Sequence, residues 1–188
     1  MIFSGILYKA VNFRTLLLIT LFMVCGWALA ADYAVYGEIG KKYSQLGGAA
    51  SYLGRPLSNE AAAPGGGRFN DFENGSIYWH PKTGTHVVLG AIRGKWRETL
   101  GTGPAFLGYP TTDESTTPDG RGRYNHFLRI DNGAVASIYW TPTTGPVEIY
   151  GDIRKKWASM GWERSSLGYP VQAEFDAYQG GPHSGASF

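Results

Sequence analysis

The sequence predicts an α+β fold assembled from tandem repeats. Each repeat is a short amphipathic helix, a glycine–proline turn and a small antiparallel β-hairpin or meander. Three observations carry this. A tetrapeptide Leu-Gly-x-Pro returns as Leu53-Gly54-Arg55-Pro56, Leu107-Gly108-Tyr109-Pro110 and Leu167-Gly168-Tyr169-Pro170. Before each copy, apolar residues recur at helical spacing. After the first two, alternating runs separated by turn residues read as strands. A motif built three times points first to architecture and second to a surface with several equivalent sites.

The helix pattern comes first in each unit. Ile39, Tyr43 and Leu46 share one face, as do Ile92, Trp96 and Leu100; Ile153 and Trp157 begin the third. Each helix is too short to stand alone in water and must pack on something. Gly47, Gly101 and Gly161 sit where each would stop. In the turn, Gly54, Gly108 and Gly168 supply a backbone angle other residues resist, the proline fixes the exit direction, and the leucine anchors the turn to the core.

Strands follow. Arg68-Phe69-Asn70-Asp71-Phe72 alternates, and so does Arg123-Tyr124-Asn125-His126-Phe127. Asn74-Gly75 is a tight-hairpin signal, and the chain returns through Ser76-Ile77-Tyr78-Trp79 and Ser137-Ile138-Tyr139-Trp140. Pro81-Lys82-Thr83-Gly84 and Pro142-Thr143-Thr144-Gly145 are turns. Phe72 to Ser76 is a step of four residues and Phe127 to Ser137 a step of ten, so unit two carries six extra residues in its hairpin loop.

The organisation along the chain is then as follows. Residues 1–30 read as a secretory signal peptide: Lys9 and Arg14 lead, Thr15 to Val24 is apolar, and Ala28-Leu29-Ala30 supplies small residues at the usual cleavage spacing. The apolar core is short against the roughly 20 residues of a membrane span. Residues 31–178 form the repeat domain, with units at about 35–87 and 88–148 and an incomplete one at 149–178. Residues 179–188 are expected as a flexible tail. Cys25, the single cysteine, lies in the signal peptide, so the mature chain has no disulfide and draws its stability from a core. Loss of Lys9 and Arg14 leaves 15 basic and 15 acidic residues, and the charge falls from +2 to 0. A neutral surface argues against nucleic acid or acidic lipid as the main partner.

These residues resemble the LGFP repeat family. The shared frame is Leu-Gly-x-Pro, a glutamate four residues on (Glu60, Glu114, Glu174), Gly-Arg-x-Asn-x-Phe, Gly-x-Ile-Tyr-Trp, and Pro-x-Thr-Gly. The chain departs from it in three ways. The tetrapeptide's third position is Arg55, Tyr109 or Tyr169 instead of phenylalanine, unit two carries the insertion, and unit three has neither Gly-Arg-x-Asn nor Ile-Tyr-Trp. The resemblance implies an exported protein, units packed around a pseudo-rotational axis, and a role in cell-envelope anchoring or glycan binding. It implies no catalytic set.

The candidate ligand-binding residues are those that recur. Tyr78-Trp79 and Tyr139-Trp140 can offer aromatic faces to a sugar ring, although alternation puts one of each pair toward the core. Glu60 with Arg68, and Glu114 with Arg123, read either as a clamp for glycan hydroxyls or as ion pairs stitching turn to hairpin. Asn70 and Asn125 either cap backbone groups or face a ligand. An enzyme would need a nucleophile or a metal. The four histidines do not repeat at matching positions, and no His-x-x-x-His or Gly-x-Ser-x-Gly appears. No catalytic residue, cofactor or metal is expected. The expected function is a secreted, non-catalytic module that holds cell-wall polysaccharide or another complex glycan by several weak contacts. The alternative is an assembly protein that self-associates as a homo-oligomer, or docks on a longer repeat partner, through the uncovered apolar face of its unfinished third unit. A small glycan hydrolase is the third reading.

Overall fold

The computed structural model describes residues 33–98, 107–176 and 184–188, all within one unit spanning Asp32–Phe188. The signal peptide, Leu100, Gly101 and His183 lie outside the described residues. The three helical patterns form α1 (Gly37–Leu46), α2 (Gly90–Glu98) and α3 (Gly151–Ser159). Gly47 ends α1 in the left-handed region at φ 104°, its N–H donating to Ser44 and Tyr43 carbonyls.

Between α1 and α2 lies a four-stranded antiparallel sheet: β1 (Ala61–Ala63), β2 (Gly67–Phe72), β3 (Gly75–His80) and β4 (Gly84–Leu89), in that order. Between α2 and α3 lies its counterpart: β5 (Tyr109–Pro110), β6 (Ser115–Thr116), β7 (Arg123–Leu128), β8 (Val135–Thr141) and β9 (Gly145–Tyr150). Its order is β5-β7-β8-β9, and β6 also pairs with β7. The fold is thus α+β with antiparallel sheets. Phe72 pairs with Gly75, so the first hairpin turns on Glu73 and Asn74, one residue earlier than the Asn-Gly signal suggests. Gly75 is needed in the ladder instead, because a Cβ there would meet Leu53 and Val88 at 2.9 and 3.0 Å. In unit two Phe127 pairs with Ala136 and Leu128 with Val135, so the six extra residues do lengthen the hairpin loop.

Both sheets are buried on both faces, and period-two alternation decides which residue goes where. Ile77, Phe72 and Val87 face α1 and join Ile39 and Leu53 in one core cluster. Tyr78, Val88 and Ala63 face the other way and join Ile92, Trp96, Leu107 and Phe127 around α2. Tyr139 and Ile149 do the same for α3, with Trp157 fully buried among them. Each sheet therefore covers its own helix on one face and the next unit's helix on the other. Tyr78 meets Trp96 edge-on at 4.6 Å, and Tyr139 meets Trp157 edge-on at 4.7 Å. Such contacts contribute roughly 0.5–1.5 kcal/mol beyond area burial.

The turn glycines behave as expected: Gly54, Gly108 and Gly168 have φ of 73°, 88° and 70°. Their carbonyls accept from the helix aromatic of the same unit, Tyr43 Oη at 2.8 Å, Trp96 Nε1 at 3.2 Å and Trp157 Nε1 at 3.1 Å. Leu53 and Leu107 are buried as anchors; Leu167, 40% exposed, is not.

Two expectations for the third unit need correction. Ser184–Ser187 is not loose tail but a strand, β11, paired antiparallel with β10 (Gln172–Asp176). The Val171 N–H donates to Ser187 O at 2.7 Å, as Leu57 does to Asp71 O (2.7 Å) and Thr111 to His126 O (2.8 Å). Phe188 lies 5.6 Å from the Trp157 ring, repeating the 5.6 Å contact of Phe127 with Trp96. Ser184 to Phe188 thus stands where Arg68 to Phe72 stands in unit one. The arginine and asparagine of the motif are gone, but backbone pairing and the closing phenylalanine need neither. The apolar face of α3 is consequently covered, not open.

Candidate functional site

Arg68 lies directly across the ladder from Trp79, and Arg123 directly across from Trp140. Opposite residues of an antiparallel pair share a face with their Cβ atoms about 5 Å apart, so each arginine sits beside an indole. Glu60 and Glu114 join from the segment before the hairpin. Glu60 Oε1 accepts from Arg68 Nε at 2.7 Å and Glu114 Oε1 from Arg123 Nε at 3.0 Å. The glutamate side chains are nearly buried, at 9% and 10% exposure, while the arginine side chains are 38% and 37% exposed. The same Glu–Arg–Trp triplet is built twice.

Arg68 Nη2 also reaches back to Glu60 O at 3.5 Å; Arg123 Nη1 donates to Thr116 Oγ1 at 2.8 Å and Nη2 to Glu114 O at 3.4 Å. The N–H groups not used in these bonds belong to part-exposed side chains. The ion-pair reading of these residues is therefore what the geometry displays, and it leaves donors beside an aromatic plane. Trp79 and Trp140 are half-buried, packed along the edges of the first and second core clusters.

The remaining candidates lie elsewhere. Tyr78 and Tyr139 are 5% and 3% exposed and occupied by the next unit's tryptophan. Burial pushes the Tyr78 phenol up and outweighs the Arg97 hydrogen bond, which acts in the opposite direction. Asn70 and Asn125 are fully buried. Asn70 Nδ2 donates to Ala34 O and Ser58 O at 3.2 and 2.9 Å; Asn125 Nδ2 donates to Val87 O and Thr112 O at 3.1 and 2.8 Å. Both bridge backbone carbonyls of two neighbouring segments through Nδ2, and their Oδ1 atoms, which have no hydrogen-bond partner, are buried out of a ligand's reach.

Other polar clusters were not legible as sites. Asp71 receives Ser76 Oγ at 2.6 Å, Arg93 at 3.1 Å and Arg97 at 2.5 Å. Burial alone would raise its carboxyl, but these donors hold it below the usual carboxylate range. In unit two the matching residues are His126, Ser137 and Arg154: His126 Nδ1 lies 2.7 Å from Ser137 Oγ, which also accepts from Arg154 Nε at 2.7 Å. Burial, then the Arg154 charge, brings the His126 imidazole down to about 4. A hydroxyl at that distance from an imidazole suits nucleophile activation, but Ser137 is wholly buried and no substrate reaches it. Asp113 accepts from Val87 N at 2.9 Å, approaches Lys42 at 2.5 Å and His86 at 3.6 Å, and so ties unit two to unit one. Against the raising effect of its own burial, these donors bring Asp113 down to about 2. The signal for such ties was present only as isolated charges, without a repeat to single them out.

Among the described residues, no group of three or more acidic, histidine or cysteine side chains is placed to hold a metal. No helix among them is long and apolar enough to cross a membrane.

No curated protein matches the sequence. The model of the LGFP repeat matches residues 53–103 and 107–165, two tandem copies that together span more than half of the chain and contain both Glu–Arg–Trp triplets, and the chain belongs to the LGFP repeat family.

Proposed function

We propose that the protein is an exported, non-catalytic module that binds cell-wall polysaccharide or a related complex glycan through its two Glu–Arg–Trp triplets. One observation carries this reading: the same part-exposed arginine and indole recur at the same ladder position in both units, each arginine oriented by a nearly buried carboxylate, where a purely structural ion pair would need no aromatic neighbour. The indole face would stack on the C–H face of a pyranose, and the remaining guanidinium N–H groups would donate to ring hydroxyls. Glu60 and Glu114 would orient the arginine rather than touch the sugar. Two shallow sites on one rigid body would act together, each weak alone. Units set about a pseudo-rotational axis, as the family resemblance implies, would present the two triplets in equivalent surroundings. The basic and apolar start of the chain supports export to the envelope.

The test is sedimentation of the protein with insoluble bacterial and fungal cell walls. Trp79→Ala and Trp140→Ala should each weaken retention several-fold, and the double variant should lose it. A tenfold loss corresponds to about 1.4 kcal/mol. Full retention by the double variant, with its folding intact, would remove the triplets from the function.

A further inference from the structure

The insertion that distinguishes unit two does more than lengthen a loop. It lies over a cavity of about 250 Å³ lined by Leu107, Arg129, Ala134, Val135, Ala136, Tyr150 and Gly151. Four of these stand where unit one has Leu53, Gly75, Leu89 and Gly90. In unit one that region is closed: Gly75 is packed so tightly that even a Cβ would overlap Leu89 and crowd Leu53 and Val88. In unit two the matching residue is Ala136. Its Cβ is accommodated, it is 3% exposed, and space remains beside it. The difference comes from the loop, which holds the two strands' connection away from Leu107 instead of turning tightly over it.

The loop itself is built. Arg129 N–H donates to Ala134 O at 2.8 Å, Gly133 N–H to Arg129 O at 3.0 Å, and Ala134 N–H to Asn132 Oδ1 at 2.9 Å. Lys82 of unit one anchors it from outside through Ile130 O at 3.2 Å. The walls are aliphatic and aromatic. A cavity of about 150 Å³ already holds a benzene molecule, so this one has room for a short chain. The charged lining residue is Arg129. Its partner Asp131 accepts from Nη2 at 2.6 Å and from Nε at 3.1 Å, a two-bonded pair, but Asp131 is 62% exposed, so an incoming carboxylate would compete with it in water for the same guanidinium.

We propose that this cavity is a second binding site, specific to unit two, for a medium-length fatty acyl chain bearing a carboxylate. The chain lies against Leu107, Val135, Ala136 and Tyr150, and its carboxylate pairs with Arg129. The site is independent of the Glu–Arg–Trp triplets.

Titration of the full mature chain with sodium octanoate, followed by calorimetry and by NMR, tests the assignment. Saturable binding at one site is expected, with nuclear Overhauser contacts from the octanoate methyls to Val135 and Ala136. Ala136→Leu fills the cavity and should abolish binding. Because that residue is buried, Ala134→Trp at the exposed mouth provides a second blocking variant that leaves the core untouched. Arg129→Gln should weaken octanoate by about tenfold while leaving 1-octanol unchanged. Absence of saturable octanoate binding at millimolar concentration, or undiminished binding by folded Ala134→Trp and Ala136→Leu proteins, overturns the proposal. Equal loss of octanoate and octanol in Arg129→Gln overturns the carboxylate assignment.

Discussion

The contact most characteristic of this architecture is the seat that one unit offers to the next unit's tyrosine. Gly67 has an ordinary backbone angle, so alanine would fit its conformation, but the added Cβ would overlap the Tyr109 ring. Tyr109 cannot yield. It is 1% exposed, its hydroxyl accepts from the Gly67 N–H at 3.1 Å, and it donates to Pro64 O. Gly67→Ala should therefore cost about 2–3 kcal/mol through overpacking. Tyr109→Ala should cost about 3–5 kcal/mol through cavity formation. The double variant should be less unstable than the sum, because the new methyl then enters the space the ring has left. The coupling should be about 1–2 kcal/mol in the favourable direction. Urea unfolding of the four proteins measures it, with unchanged m-values as the check on two-state behaviour. In a domain of this size about 1 kcal/mol corresponds to roughly 2–4 °C in Tm. Strict additivity, or a Gly67→Ala protein within about 1 °C of wild type, would refute the idea that this glycine is kept small to admit the neighbouring unit's ring.

Four further outcomes follow from the polar ties. Asp71→Asn leaves Arg93 and Arg97 facing each other without their shared carboxylate, and should cost about 2–3 kcal/mol by chemical denaturation, partly discounted because the arginines are not fully buried. His126 has a folded pKa of about 4, below its ordinary value of 6.5, so the unfolded chain binds the proton first. Stability should then be fully present above pH 6.5 and fall by about 2–3 kcal/mol as pH drops toward 4, and a His126→Asn protein should show a flat Tm across that window. Asp113, lowered to about 2, contributes in a separate and more acidic range, from its ordinary 3.8 downward. His126→Asp places a carboxylate beside Arg154 as Asp71 lies beside Arg93, and should raise Tm by a few degrees at pH 7; a lower Tm would show that the aromatic surroundings of His126, not the charge pattern, decide the site.

The repeat was legible because its physics is local. Helical spacing, turn glycines and strand alternation all operate within a few residues, and all three recur in register. The insertion in unit two was legible for the same reason, as a change in one loop between unchanged flanks. The allocation of faces was not. Alternation showed that Ile77 and Tyr78 point to opposite sides, but nothing local says that the far side is the next unit's helix. Tyr78 and Tyr139 thus read as candidate platforms when they are interface residues. For Asn70 and Asn125 the sequence leaves open the choice between capping the backbone and facing a ligand, and two backbone carbonyls claim each. The third unit was misjudged because its strand keeps only the phenylalanine of the motif. Ser184 to Phe188 forms the strand through backbone pairing, which small residues satisfy as well as Arg-Phe-Asn-Asp does.

The departure at the tetrapeptide's third position now has a cause. Tyr109 fills the seat at Gly67, and Tyr169 fills the matching one at Gly122, where its hydroxyl meets Thr117 Oγ1 at 2.8 Å. Arg55 holds the same tetrapeptide position in unit one, is exposed, and has no described unit before it to fill. The helix position shows the same pattern. Trp96 and Trp157 are each met edge-on by the tyrosine of the preceding sheet, and are fully buried. Tyr43, the unit-one residue, packs its ring at a tilt on Phe72 of its own sheet, at 4.6 Å, and remains partly exposed. Tyrosine at the third tetrapeptide position, and tryptophan in place of tyrosine on the helix, therefore go with contact to a preceding unit. The tetrapeptide's third residue carries information about neighbours, while its leucine, glycine and proline carry the turn. On this reading Arg55→Tyr should change stability little, since no described residue offers the ring a seat, whereas Tyr109→Arg would force a charge between two units and should unfold the junction.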